Sequence, residues 1–263
     1  MSYLALNSSA TGMTALNTQL DVIANNIANA DTTSFKSSRA DFQDLYYLEK
    51  KQPGVENQIA DTRTPNGLYV GLGVEVAGTQ LDMSQGSPIP NTSSTALMIQ
   101  GNGFFQVNTG DDFAYTRDGA FQKNSEGDLV SVSTGYRLEP AINIPAEAES
   151  ITVGPQGTLQ YLLPGQTEPI EEQIEIAIFQ NSSGLRQLGE NLYGESIASG
   201  PPISGNPGED GAGTILAKHL EGSNVDPVTQ LVDLIRTQRA FEMNSQAFNA
   251  ADETLQTVVN LGR

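Results

Sequence analysis

Residues 6–30 read LNSSATGMTALNTQLDVIANNIANA, and their spacing decides the fold. Leu6, Ser9, Met13, Leu16, Leu20, Ile23, Ile27 and Ala30 recur at intervals of three and four over about three heptads, the seam of a coiled coil on one long helix. A solvated helix carries Glu and Lys pairs on its remaining faces. Here those faces hold Ser8, Thr11, Thr14, Asn17, Thr18, Gln19, Asn25, Asn26 and Asn29, so the helix is expected to be surrounded by other helices.

The far end of the chain answers it. Asn224-Val225-Asp226-Pro227 is a helix start, because Asp caps free amides and Pro suits the first helical position. Leu234, Phe241, Phe248 and Leu255 then recur every seven residues, Leu231 and Val258 extend the stripe, and Gly262 marks the stop. Such a helix spans about 50 Å at 1.5 Å per residue. Each terminal helix has an apolar stripe to bury, and the simplest solution packs the two ends together. The expected assembly-interface residues are Leu6, Met13, Leu16, Leu20, Ile23 and Ile27 on the first helix, with Leu231, Leu234, Phe241, Phe248, Leu255 and Val258 on the second. An ordinary antiparallel hairpin of a monomer is the plain alternative.

Between the helices the period changes to two: Phe105/Val107, Phe113/Tyr115, Tyr136/Leu138, Ile142/Ile144, Ile151/Val153, Leu159/Tyr161 and Ile174/Ile176/Ile178. Turn signals at Thr109-Gly110-Asp111, Arg117-Asp118-Gly119, Ser125-Glu126-Gly127-Asp128 and Pro155-Gln156-Gly157 separate short strands, as in an antiparallel sandwich or barrel. The fold class expected is α+β: long terminal helices packed as a coiled coil, with an inserted antiparallel β-sandwich or barrel-like domain. Residues 1–32 plus 224–263 would form the helical domain, 33–70 plus 199–223 a connector, and 71–198 the β-rich domain. Residues 32–68 are polar and turn-rich, and are expected to order only against neighbours.

Composition narrows the function. The net charge is −18, of which about −15 lies between the nearly neutral ends, so general binding to nucleic acid or an anionic membrane lacks its basic footprint. With no cysteine, neither disulfides nor thiolate metal sites are available. The start of the chain has no basic region and no long apolar run, so export would need a route other than a cleaved signal peptide.

No residue pattern argues for catalysis or a cofactor. His219 is the single histidine, which rules out a histidine pair on a metal. Asp118-Gly119 between two strand patterns is the ordinary hairpin signal. Gly101-Asn102-Gly103 precedes a strand, Phe104-Phe105-Gln106-Val107, where a phosphate loop needs a helix. Glu171-Glu172 and Asp111-Asp112 sit in polar, turn-like contexts without an apolar pocket. No G-x-S-x-G or S-x-x-K motif occurs.

Ala24-Asn25-Asn26-Ile27-Ala28-Asn29-Ala30-Asp31-Thr32-Thr33-Ser34-Phe35-Lys36 resembles the N-terminal signature of the bacterial flagellar rod and hook family. Similar matches are Gly101-Asn102-Gly103-Phe104-Phe105-Gln106-Val107, Tyr115-Thr116-Arg117-Asp118-Gly119-Ala120-Phe121, Gly189-Glu190-Asn191-Leu192-Tyr193 and Gln238-Arg239-Ala240-Phe241-Glu242-Met243-Asn244. The family signature has Gly before Phe-Lys, where this chain has Ser34. The chain's length and its segment Tyr46 to Leu68 are most similar to the distal-rod branch, with proximal-rod paralogues close beside it.

The resemblance implies a non-enzymatic structural subunit that takes no cofactor. It implies a helical homopolymer, a hollow rod that transmits torque from motor to hook. The partners implied are other copies of the chain, proximal rod proteins, hook or hook-junction subunits, the surrounding periplasmic and outer-membrane rings, and the flagellar export apparatus. In that branch the segment Tyr46 to Leu68 would bridge neighbouring subunits and stiffen the rod. A secreted, adhesin-like module trimerised by its coiled coil is the alternative from another class, and it would differ by closing into a finite bundle.

Overall fold

The computed structural model describes residues 2–53, 66–110, 112–148, 150–166, 168–209 and 211–261. The chain divides into two compact units: Met1–Ala28, Ser38–Leu81 and Asp226–Arg263 form the first, Asn29–Ser37 and Asp82–Val225 the second.

The first unit holds two long helices, α1 (Ser2–Ala28) and α2 (Pro227–Leu261). Asp226 caps α2 as its sequence suggests, its carboxylate accepting from the Val228 amide at 3.1 Å and from the Thr229 hydroxyl at 2.5 Å. The helices pack together and run antiparallel. A Cβ built on Gly12 would sit 3.4 Å from Asn244 Nδ2, and Asn26 Nδ2 donates to Gln230 Oε1 at 3.2 Å. This register brings Ser2 level with Thr254, so the last turns of α2 run past the end of α1.

The first unit also contains β1 (Ser38–Asp44), β2 (Tyr47–Lys51), β3 (Leu68–Gly71) and β4 (Val74–Leu81). β1 pairs with β4 and β2 with β3, both antiparallel. Part of the segment expected to order only against neighbours therefore pairs within the chain. The β1–β4 ribbon packs on α1. Asn7 Nδ2 donates to the Leu72 carbonyl at 3.0 Å, and Thr11 Oγ1 accepts from the Val74 amide at 3.4 Å. Thr11, and Asn26 through the Ser38 amide and carbonyl, are therefore uncharged α1 positions used as hydrogen-bond partners by an intramolecular ribbon.

In the second unit the strands are β5 (Pro88–Pro90), β6 (Leu97–Gln100), β7 (Phe105–Asn108), β8 (Phe113–Thr116), β9 (Phe121–Lys123), β10 (Leu129–Ser131), β11 (Arg137–Glu139), β12 (Ser150–Val153), β13 (Thr158–Leu162), β14 (Ile170–Gln173), β15 (Ile176–Ile178), β16 (Arg186–Gly189), β17 (Leu192–Gly194), β18 (Ile203–Gly205), β19 (Thr214–Ala217) and β20 (His219–Glu221). Seven form one sheet in the order β16-β17-β8-β7-β11-β10-β9, and β12-β13-β14 form a second. The pairs β15–β18, β19–β6 and β20–β5 complete the set. The strand pairings among the described residues are antiparallel, and they do not close into a barrel. The alternating residues point inward to one core that includes Ile99, Phe105, Val107, Phe121, Leu138, Leu159 and Ile176.

Three local expectations are corrected. Ile142 and Ile144 are buried but belong to a loop that makes one isolated bridge, Asp128↔Asn143. Glu171 and Glu172 lie on β14, not in a turn, while Asp111 falls outside the described residues. Asp118-Gly119 is not a hairpin turn, because β8 pairs with β7 and β17 whereas β9 pairs with β10. Residues 117–119 instead cross the interior: a Cβ on Gly119 would fall 1.5 Å from the Leu97 carbonyl oxygen.

Candidate assembly surfaces and a buried charged cluster

Leu234, Phe241, Phe248 and Leu255 are half-buried along the face of α2 that carries the buried Thr237. Facing them, Ser9, Gly12, Ala15, Ile23 and Asn26 are the buried positions of α1, and Leu6, Met13, Leu16, Leu20 and Ile27 flank that line half-buried. Small residues at the closest approach let the two backbones come near and leave the larger side chains at the margins. Two of the expected assembly residues are left uncovered by the α1–α2 pairing. Leu231 is 51% exposed, on the outer side of α2, and Val258 is 65% exposed because α1 ends before reaching it.

The outer side of α2 is apolar near its start. Val228 lies three and four residues before the adjacent pair Leu231 and Val232, Ile235 lies four and three after it, and all are exposed, as is Met243 further along. The β2–β3 hairpin adds Tyr46, Tyr47, Leu48, Leu68 and Tyr69 to the exposed set. Residues 54–65 of that segment lie outside those described.

The second unit contains something the sequence did not announce. Lys36, Arg117 and Glu221, three charged residues far apart in the chain, meet in its interior. Lys36 Nζ lies 2.5 Å from Glu221 Oε1 and donates to the Ser84 carbonyl at 2.7 Å. The same Oε1 accepts from the Gly86 amide at 2.9 Å. Arg117 Nη1 stands 3.7 Å from Glu221 Oε2, beyond hydrogen-bond range, and its guanidinium carbon sits 5.1 Å from the centroid of Phe104. Phe104 in turn makes edge contacts with Phe179 and Tyr193, at 5.8 and 5.9 Å between centroids.

Burial governs the titration of these groups. Desolvation holds the Lys36 ammonium below its usual value against the pull of Glu221, and lowers Arg117 in the same way. It pushes the Tyr193 hydroxyl up to about 12, with Arg117 opposing. The Asp118 carboxyl is raised by burial, although the Ala120 amide, donating to Oδ1 at 3.1 Å, pulls the other way.

The segment carrying Lys36 is tied down on both sides. Ser34 donates its amide to the Glu221 carbonyl at 2.8 Å and its hydroxyl to the Arg117 carbonyl at 2.9 Å. Its φ is +58°, the left-handed conformation in which glycine fits without strain. The turn that a glycine would make therefore survives with serine, and the hydroxyl finds a buried acceptor. Lys36 is the first cation in the chain, a signal that could have flagged it, but its partners could not be read from local pattern.

Three family models match the chain. "Flagella basal body rod protein" covers residues 6–36, "Flagellar hook protein FlgE/F/G D1 domain" residues 98–161, and "Flagellar basal body rod FlgEFG protein C-terminal" residues 216–261. Lys36, Arg117 and Glu221 fall one in each. The flagellar basal-body rod protein FlgG of Buchnera aphidicola subsp. Schizaphis graminum is 44% identical, with 96% of this chain and 97% of the relative covered. The FlgG of Agrobacterium fabrum is 42% identical over 95% of each, and that of Bacillus subtilis 38% identical over 98% of this chain and 99% of the relative. A hook protein FlgE of Treponema pallidum matches at 36% over 51% of this chain and 29% of its own length. Identity of this order across almost the whole length places the chain in the flagellar basal-body rod protein FlgG family, as a structural subunit of the distal rod and not an enzyme.

Proposed function

We propose that the subunit builds the rod by helical polymerisation through α1 and α2. The observation that carries this reading is the apolar outer side of α2, where Val228, Leu231, Val232 and Ile235 remain exposed after α1 and α2 have paired. An amphipathic helix buries one stripe, and a second stripe marks a second neighbour. Covering a Leu or Ile side chain contributes about 1.5–3 kcal/mol before ordering entropy is subtracted, so a few residues per subunit can hold a stiff tube. The α2 overhang with Val258 and Val259 offers a further contact along the helix axis.

The segment from Tyr46 to Leu68 is read as the bridge that stiffens the rod between subunits, on the strength of the exposed Tyr46, Tyr47, Leu48 and Leu68. In this reading the subunit leaves the cell by the flagellar export apparatus. It joins proximal rod proteins at one end and hook or hook-junction subunits at the other, within the periplasmic and outer-membrane rings. Electron microscopy of the purified chain at rising concentration tests the core claim, beside a variant carrying Leu231→Gln, Ile235→Gln and Met243→Gln. Straight tubes from the natural chain and none from the variant support it. Equal tube formation by both would overturn it, and discrete trimers would favour the adhesin-like alternative.

A further inference from the structure

Segment Thr32–Ser37 lies in the second unit as a bound peptide would lie in its receptor. Thr33 O accepts from Asn191 Nδ2 at 2.9 Å, and Phe35 O from the Asn224 amide at 3.3 Å. Ser37 donates its amide to Asn224 Oδ1 at 2.7 Å and accepts from the Asp82 amide at 2.8 Å. Ser34 reaches the Glu221 and Arg117 carbonyls. Most of these bonds use the backbone of the segment, and its sequence, Thr32-Thr33-Ser34-Phe35-Lys36-Ser37-Ser38, is nearly uniform in small hydroxyl residues. Polar segments of this kind specify their register poorly, since a slip by one residue changes few side chains.

Lys36 removes that ambiguity. Its side chain and that of Glu221 are both fully buried, and a slip in either direction would replace it with Phe35 or Ser37 and leave the carboxylate with the Gly86 amide and the more distant Arg117. A buried ion pair is a poor source of stability, because desolvation offsets attraction and an apolar replacement holds as well. This cluster is not even fully satisfied: Arg117 Nε, Arg117 Nη1 and Glu221 Oε2 have no hydrogen-bond partner among the described residues. Its charges are therefore better suited to discrimination than to strength.

We infer that the second unit carries a docking site for the chain's own segment Thr32–Ser37, and that Lys36 is the register key, read by Glu221 with Arg117. The ligand class is an extended peptide presenting one ammonium two residues after a left-handed turn. Because Glu221 lies 185 residues beyond Lys36, the site is completed only when the last strand of the unit is in place. Until then the segment has no specified register.

The full-length chain with Lys36→Met, Arg117→Met and Glu221→Gln tests the inference, the glutamine retaining the acceptor that the Gly86 amide needs. Two quantities are measured: the denaturant midpoint of unfolding, and amide hydrogen exchange at Ser34 and Ser37. The expected result is a midpoint close to the natural chain's, with exchange at Ser34 and Ser37 accelerated about a hundredfold or more. Natural protection at both amides in the variant would overturn the inference, since the register would then stand without charge. Failure of the variant to fold would overturn it too, because the cluster would then be a stability element. The natural chain gives an independent reading: the Ser34 and Ser37 amides must become exchangeable together with that of Gly86. Exchange at the two serines while Gly86 stays protected would show that the carboxylate does not hold the segment.

Discussion

Lys36 Nζ and Glu221 Oε1 are 2.5 Å apart, in a place where neither side chain touches solvent. They come from opposite ends of the chain, and Arg117 approaches the same carboxylate from the middle. Replacing Glu221 by Gln alone leaves two buried cations without an anion, and the expected loss is about 3–5 kcal/mol. Urea unfolding of the natural and Glu221→Gln chains measures it. A loss under about 1 kcal/mol would mean that solvent reaches the cluster and screens it.

Ser34 balances two effects at one position. Ser34→Gly relieves a left-handed backbone but gives up the hydroxyl bond to the Arg117 carbonyl, two terms of about 1 kcal/mol each with opposite signs, so the unfolding midpoint should hardly move. Ser34→Val keeps the strain, adds a branched Cβ and loses the bond, with an expected cost of about 2 kcal/mol or more. Thermal unfolding of the two variants separates them, and equal melting temperatures would refute this account.

Asp118 gives a pH signature. Burial raises its carboxyl above the ordinary 3.8, so above that value the unfolded chain releases its proton more readily than the folded one. The charged form therefore penalises the fold at neutral pH, and the penalty fades as pH falls through the raised folded value toward 3.8. Asp118→Asn keeps an oxygen to accept from the Ala120 amide and removes the charge. Its chain should be the more stable at pH 7, with the advantage vanishing below pH 4. An advantage that persists below pH 4 would point to packing instead.

Gly119 has no room for any side chain, since its Cβ would overlap the Leu97 carbonyl. Gly119→Ala must displace either β6 or the buried residues beside it, and overpacking of this severity costs about 3 kcal/mol or more. Circular dichroism in the near ultraviolet, which reports the packing of Phe104, Phe105, Phe121 and Tyr115 around this crossing, should show the loss. A hairpin turn at Asp118-Gly119 would have set only backbone strain of about 1 kcal/mol against the change, with no clash.

Much of the molecule is written in local pattern. The interval of three and four placed α1, Asp226-Pro227 placed the start of α2, and alternation placed β7, β8, β12 and β13, because periodicity and capping act within a few residues. Motifs in the family's order were equally legible, and with them the kind of molecule this is. Only the tertiary structure decided the rest. The antiparallel register of α1 against α2 leaves Val258 beyond the end of its partner, which a seven-residue repeat cannot foretell. The crossing at Asp118-Gly119 looks like a turn until strand pairing is known. No local pattern links Lys36, Arg117 and Glu221 to one another. Their burial depends on contacts between residues up to 185 positions apart, and such contacts are selected by the packing of the whole unit, not by the neighbours of any one residue.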